Sequence, residues 1–411
     1  MKDFLNKVWH SPMILVFFVI AIFFGMPALA RASQVDEYSI VIGVGIDKGE
    51  NAAYDVSFLT FVPIPDQNFT ERYKVASSSG ESIAKAVNDA ELYLGKEIRF
   101  AHIKTVVLSM ELLDEGEDVS KLLDFLVREN DITASTKIVA TKTKAKEFLD
   151  SAKALDSESS TKISQIVSYN RDSLYSVDTS FESFYKSFFG PTKSGLVPIF
   201  DLQKDYGITP TSEESGQSSQ SGASKPSGEE KKLITNTGKI VVLRNGRKET
   251  ELSSDELKNI NLISGDFTTG FITIKDFDVR LYHGHDLTFE IFGKKVRFDA
   301  EFQNGVPVVS IYLKLDLLLS EVLSDEGMVE KNTDFEKFGK DDLAVVANGV
   351  RKQMSGAMEV MREKKIDLLN FYTKIYNADR NKFEQYLSEK TEADFYLDGV
   401  VVKANVDIKL R

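Results

Sequence analysis

The chain has 411 residues, with 51 Lys and Arg against 63 Asp and Glu, four His, one Trp, no Cys and a formal net charge of −12. That length suggests two or three domains at roughly 100–200 residues each, and 42% hydrophobic with 28% charged residues excludes a disordered chain and a multi-span membrane protein. The lack of cysteine excludes a disulfide scaffold, a thiol nucleophile, a zinc ribbon, an iron–sulfur cluster and a Cys-linked lipid, and the acidic excess argues against nucleic acid as a partner.

At the N-terminus, Lys2 and Lys7 precede the uncharged run Met13–Met26, and the small residues Ala28, Ala30 and Ala32 follow. This is the order of a secretory signal. The stretch from Pro12 to Ala30 is 19 residues long, close to the roughly 20 that cross a bilayer core. Residues 1–30 are therefore a signal peptide or a transmembrane anchor, with both outcomes open. The positive-inside rule keeps Lys2 and Lys7 in the cytoplasm and puts everything after Arg31 outside it.

The next block interleaves strand and helix patterns. Tyr38–Ile46 reads as a buried strand and Tyr54–Val62 as its neighbour across an Asp47–Asn51 turn. Ile83, Val87, Ala90 and Leu94 lie at helical spacing, which predicts an amphipathic helix from about Glu81 to Leu94. A strand over Ile103–Ser109, a helix carrying Val119, Leu122, Leu123 and Leu126, a strand over Thr136–Thr141 and a short helix around Ala145–Leu149 complete an α/β or α+β unit.

The aromatic-rich stretch Phe181–Phe189 and the strand-like Leu196–Phe200 come next, then Thr211–Glu230, in which Ala223 is the sole apolar side chain. Such a segment cannot bury enough surface to offset its chain entropy, so a disordered loop or linker is expected there. Ile240–Leu243 and Arg247–Leu252 flank Asn245-Gly246, a hairpin pattern, and Ser253 or Ser254 caps a short helix through Ile263.

From Asp266 onward the pattern is a meander: Phe271–Leu281, Leu287–Phe292, Lys295–Phe302 and Val308–Leu319, with joints at Gly293 and Asn304-Gly305. One long helical stretch is expected from roughly Phe335 to Ile375. The strict alternation of Val400, Val402, Ala404, Val406, Ile408 and Leu410 with their neighbours predicts a final half-buried strand.

Chemistry is sparse along the chain. Gly43, Gly45 and Gly49 follow a strand, but Lys48 stands where a dinucleotide fingerprint needs its third glycine, and the following polar turn leads to a strand, so a structural turn is the better reading. His283 and His285 are the sole close pair of histidines and would need Asp286 or Glu290 as a further metal ligand; with Gly284 between them they read as a strand-end turn. His102 stands alone. Asp114/Glu115 and Glu213/Glu214 read as solvated loop charge, and Asn68-Phe69-Thr70 fits a glycosylation acceptor. Met354, Met358 and Met361 share a helical face and read as packing residues or an adaptable partner surface. No catalytic, cofactor-binding or metal residue is assigned, no cofactor is expected, and a metal-dependent hydrolase built on His283 and His285 is the weakest reading.

Several segments together resemble the Ger(x)C family, the C subunits of nutrient germinant receptors in endospore-forming bacteria. They are Ile40–Lys48 ending in Gly45-Ile46-Asp47-Lys48, Arg99-Phe100-Ala101-His102-Ile103, Leu123–Asp131, Val197-Pro198-Ile199, Gly238–Leu243 with the Asn245-Gly246 hairpin, and Leu319-Ser320-Glu321-Val322. Each is a weak string, and their order carries the likeness. The resemblance implies a non-catalytic, extracytoplasmic protein of mixed α/β or α+β fold, on the outer face of the inner spore membrane, working with integral-membrane receptor subunits that bind most of the nutrient ligand. It implies three domains, each a small sheet flanked by helices, after the N-terminal apolar helix: 31–150, 151–265 with the Ser/Gly-rich loop 211–230 inside it, and 266–411. The family's lipidated Cys and W-D-x-R-E string are missing from Arg31–Ser39, where Asp36 and Glu37 alone match. A retained transmembrane helix is then the replacement for the lipid. The alternative function is an exported small-ligand or cell-wall binding protein unrelated to spores.

Overall fold

The structure, a computed structural model, describes residues 38–61, 73–128, 132–155, 173–204, 232–265, 267, 269–279, 282–323, 338–391 and 394–411. The N-terminal apolar segment, the Ser/Gly-rich segment, Glu213/Glu214 and the acceptor sequence at Asn68 lie outside these residues. The fold is mixed α+β, with sheets flanked by helices. Among the described residues no helix is long and apolar enough to cross a membrane.

Strand β1 (Tyr38–Lys48) pairs antiparallel with β2 (Tyr54–Phe61), and β2 with β3 (Tyr73–Gly80). On its other side β1 runs parallel to the short β4 (Glu97–Arg99) and to β5 (Thr105–Ser109), and β5 runs parallel to β6 (Lys137–Thr141). The apolar run of β1 is covered on both faces, with Val41, Val44 and Ile46 in one core cluster and Ile42 in another, as expected of a central strand in a partly parallel sheet. Helices α1 (Ile83–Leu94), α2 (Met110–Asp114) and α3 (Val119–Arg128) lie on the first face, and α4 (Ala145–Leu155) on the second. Ser82 caps α1 by accepting the Lys85 N–H, and Gly95, at φ 63°, ends it.

Helix α5 (Phe181–Phe188) leads into β7 (Ser194–Lys204), which pairs parallel with β6 at Ala140 and Thr141. Strands β8 (Lys232–Arg244) and β9 (Arg247–Leu252) continue the same sheet, in the order β3-β2-β1-β5-β6-β7-β8-β9 with β4 beside β1. The strands before residue 150 and those of 194–252 thus meet edge to edge. Asn245 and Gly246 turn the β8–β9 hairpin with φ of 51° and 81°, the left-handed pair that a tight hairpin demands.

Helix α6 (Ser254–Ile263) starts at a capping box, with Ser253 and Glu256 satisfying each other's backbone N–H groups. The second sheet is β10 (Gly270–Val279), β11 (Tyr282–Gln303), β12 (Val306–Leu323) and β13 (Val401–Leu410), in that order, with β13 parallel to β12. The joint expected at Gly293 is absent: β11 runs through it as one 22-residue strand. A Cβ at Gly293 would sit 3.3 Å from an Asp316 carboxylate oxygen, so the glycine serves a register shift and a close approach instead of a turn. His283 and His285 lie within β11, beside the β10–β11 hairpin, opposite Asp278 and Phe277.

The long helical stretch is interrupted as well. Helix α7 (Lys340–Glu363) ends before Lys365, and α8 (Phe371–Ala378) begins after Asn370; these two residues take φ of 53° and 54°, which no helix interior accepts. Helix α9 (Arg380–Ser388) follows after the Asp379 cap. Met354, Met358 and Met361 are buried in the core that α7 forms against the second sheet, so they are packing residues. Strand β3, with three serines in YKVASSSG, gave no alternation of apolar residues to read, and α4 extends beyond the expected Leu149 to Leu155.

Candidate functional site

The Gly45-Ile46-Asp47-Lys48 string occupies the end of β1, so Gly43 and Gly45 sit in a strand and not in the turn expected of them. A Cβ on Gly45 would approach the Ala145 Cβ to 3.0 Å and Leu149 Cδ1 to 3.1 Å, and one on Gly43 would meet Leu149 Cδ2 at 3.2 Å. The two glycines let α4 pack directly on the strand. Asp47, 2% exposed, accepts the backbone N–H of Ala145 at 2.7 Å and of Lys146 at 3.1 Å, capping that helix from a distant strand. Burial pushes its carboxyl above the ordinary value of 3.8, and the two N–H groups hold it back. The glycine spacing thus supports helix docking, not nucleotide binding.

The acidic pair is structural too. Asp114 ion-pairs with Lys248 of β9 and Glu115 with Lys48 of β1, so the two charges expected in free solvent bridge α2 to neighbouring strands. His102 is exposed in a turn. Glu290 lies five residues along β11 from His285, about 16 Å at a strand's rise, and Asp286 alternates to the opposite face. Among the described residues no three His, Asp or Glu side chains come together in a way that could hold a metal ion.

Two of the concavities border α5. A cleft of about 450 Å³ opens where α5 and the start of β7 meet α6 and the chain before α8, with the polar residues Asp178, Ser183, Ser187, Thr192, Asn261, Asp367 and Asn370 in its lining. Among the described residues no Lys or Arg lines it. Its walls are held by buried polar groups. Asn261 donates to the carbonyls of Leu174 and Ser176, both at 2.8 Å. Asp367, 4% exposed, accepts the N–H groups of Phe371 and Tyr372, both at 3.0 Å, and the Tyr396 hydroxyl. Burial and the adjacent carboxylate push the Tyr396 phenol far above its ordinary value.

The second concavity, about 220 Å³, is an aromatic groove between α3 and α5 lined by Leu123, Val127, Phe184, Tyr185, Phe188 and Phe189. Phe181, Phe184, Tyr185 and Phe188 follow helical spacing. Phe184 turns inward against β7, where a Cβ on Gly195 would lie 2.7 Å from its ring. Tyr185 and Phe189 face outward at 43% and 67% exposed, their rings 4.5 Å apart. A patch of large apolar side chains left in water marks an interaction surface. The aromatic richness of Phe181–Phe189 was visible in the sequence, whereas its split into an inward and an outward face needed the packing of α5 on β7.

Comparison with known proteins places this architecture. Residues 31–202 match the family described as spore germination protein N-terminal domain, and residues 238–411 match spore germination B3/GerAC like, C-terminal. The chain belongs to the GerAC-like spore germination proteins. Among its relatives in this family is spore germination protein B3 of Bacillus subtilis (strain 168), 21% identical over 337 residues, covering 80% of this chain and 79% of the relative. The crystal structure of the GerBC protein has a similar fold, with a TM-score of 0.51 at 15% identity, covering 90% of this chain and 96% of that one. The GerAC-like family is that of the germinant receptor C subunits. In this chain Asp47 and the two glycines before it hold α4 on β1.

Proposed function

We propose that this chain is a non-catalytic, membrane-anchored, extracytoplasmic subunit of a spore germinant receptor, acting in germination through contacts with integral-membrane partner subunits. The observation that carries the reading is the succession of two matched family domains over 31–202 and 238–411. With no cysteine in the chain, the uncharged stretch Pro12–Ala30 takes the place of a lipid as the anchor at the outer face of the inner spore membrane. The outward aromatic side chains Tyr185 and Phe189 supply the partner surface, and the partners bind most of the nutrient ligand. The division at 150 and 265 belongs to the same reading: the start of the second sheet at Gly270 supports the later boundary, and the β6–β7 pairing joins the first two parts into one sheet.

Deletion of the gene tests this proposal: spores lose or slow their response to a nutrient germinant, and normal germination of the deletion strain overturns it. An N-terminal mass measurement on membrane-extracted protein tests the anchor, which predicts residue 1 or 2 at the start; a start near Arg31 or Ser33 overturns it.

The cleft at α5 and α6 favours a second reading, an exported protein that binds a small ligand or cell-wall fragment. It predicts ligand-dependent thermal stabilisation of the purified protein, since a ligand bound to the native state raises its apparent stability.

A further inference from the structure

The second sheet ends on an open strand. Among the described residues β13 pairs with β12 alone, and its ladder runs from Val401 to Leu410 without a register shift. The opposite edge strand, β10, carries two such shifts, and Thr269 just before it bridges to Ser173. The Arg411 N–H donates to the Leu317 carbonyl at 2.9 Å. In this parallel ladder the odd-numbered residues of β13 therefore turn their N–H and C=O groups to β12, and the even-numbered ones, from Val402 to Leu410, turn theirs to the open edge. Among the described residues no hydrogen bond reaches those edge groups.

The side-chain layer is unfinished at the same edge. On the inner face Ile311, Leu313 and Leu315 of β12 are at most 1% exposed, whereas Val402, Ala404 and Val406 of β13 are half-buried. Between β13 and α7 opens a concavity of about 460 Å³ with Met354, Met358, Val400, Val402 and Ala404 in its lining. An open edge beside an apolar groove under a helix suits an extended chain, whose backbone continues the sheet and whose alternate side chains fill the groove. A long, regular edge that nothing covers is a template for such pairing.

We infer that β13 pairs antiparallel with β13 of a second copy of this chain, about a two-fold axis at Asn405, joining two four-stranded sheets into one. Such a contact needs a strand that complements itself when reversed, and β13 does so in one register. With Asn405 opposite Asn405, the edge groups of Val402 and Ala404 face those of Ile408 and Val406, and the inner-face side chains that meet are all apolar. On the outer face Lys403 falls opposite Asp407 twice. Lys403 has no ion pair among the described residues. The Asp407 side chain, 70% exposed, holds Lys314 at 3.1 Å and has a second oxygen to offer. An axis at Val406 would set Lys403 against Lys409, and one at Asp407 would set that carboxylate against its own copy; like charges directly opposite are destabilising. An axis at Ala404 would set Asp407 against Val401 and form no ion pair. The charges thus select one register. The pairing depends on β13 and its groove, and stands whether or not the receptor reading holds.

The chain has no cysteine, so Asn405→Cys places a single thiol at the axis, opposite its own copy in a non-hydrogen-bonded pair. Cα atoms there lie roughly 4.5 Å apart, within reach of a disulfide. In the same pairing Lys409→Cys holds its two thiols about 26 Å apart, and Ser388→Cys on α9 is a control away from the strand. Full-length protein purified in mild detergent is gently oxidised and run on a non-reducing gel. The expected result is a band at twice the 46.0 kDa chain mass from the 405 variant and none from 409 or 388. Adding Lys403→Glu to the 405 variant loses the band, and adding Lys403→Glu with Asp407→Lys restores it. Ala404→Pro, which removes an edge N–H and no bond to β12, also loses it; melting curves report whether that variant is folded, and the charge swap decides if it is not. A 405 variant that stays monomeric, equal bands from 405 and 409, or a band that persists with Lys403→Glu alone overturns the inference. With oxidation carried out in the native membrane, a 405 disulfide to a chain of different mass gives the edge to another partner and overturns self-pairing.

Discussion

The Asp47 carboxylate on β1 and the Ala145 N–H at the start of α4 meet at 2.7 Å across 98 residues of chain. This contact, beside Gly45, fixes the helix to the strand at a point where there is no room for a side chain. Gly45→Ala forces a Cβ to within 3.0 Å of Ala145 Cβ and should cost about 1–3 kcal/mol. A lower thermal unfolding temperature checks it, and an unchanged one refutes the packing argument.

The same carboxylate predicts a pH dependence. Because burial raises its folded value above 3.8, the native state keeps the proton longer than the unfolded chain. Stability contributed by Asp47 is therefore full below pH 3.8 and is lost as pH rises through the folded value. Relative to Asp47→Asn, which does not titrate, the native protein should lose stability over that window. Denaturant titrations of both proteins at several pH values measure the difference, and parallel pH profiles would falsify the assignment.

Glu256 should behave in the opposite sense. Burial pushes its carboxyl up, but the Ser253 N–H and the Lys364 ammonium, 3.2 Å away, outweigh it and bring it below the ordinary 4.5. Its contribution is present above pH 4.5 and disappears as pH falls through the lowered value. Glu256→Gln should cost about 0.5–2 kcal/mol at neutral pH and nothing once both states are protonated. Melting curves at pH 7 and at pH 3 separate the two regimes.

Tyr396→Phe removes the hydroxyl that Asp367 accepts while leaving the carboxylate its backbone donors. A loss of about 1–2 kcal/mol is expected, read as a lower denaturation midpoint. Asp367→Ala should cost more, since it leaves the first turn of α8 uncapped and the Tyr396 hydroxyl unpartnered.

For the aromatic groove the expected effect is functional. Phe189→Asp changes a side chain that is 67% exposed, so the melting temperature should stay within a degree or two, as surface substitutions do. If the groove is the partner surface proposed above, co-purification with integral-membrane receptor subunits should fall. Undiminished co-purification would remove this surface from the partner interface.

The sequence was most legible where periodicity and turn chemistry agreed. The Asn245-Gly246 and Asn304-Gly305 hairpins and the alternation of β13 all appear where expected. Gly293 misled because a glycine that ends a strand and one that permits a register shift look alike until Asp316 is seen beside it. The split between α7 and α8 was hidden because Leu369, Phe371 and Ile375 continue an apolar pattern while the backbone at Lys365 and Asn370 leaves the helix. At the site level, the Gly45–Asp47 string pointed to its family, but its work as a helix dock depends on Ala145, which no local pattern connects to it.

The parallel pairing of β13 with β12 has a kinetic consequence. Two neighbouring strands cannot join by a tight turn when they run the same way, and here the whole of α7, α8 and α9 intervenes. Strand β13 follows those helices in the chain, so a growing chain exposes the edge of β12 until β13 has been made. Such late, non-local closure slows folding and leaves a transient edge open to mispairing, which makes this strand the step at which assembly of the protein is most easily delayed.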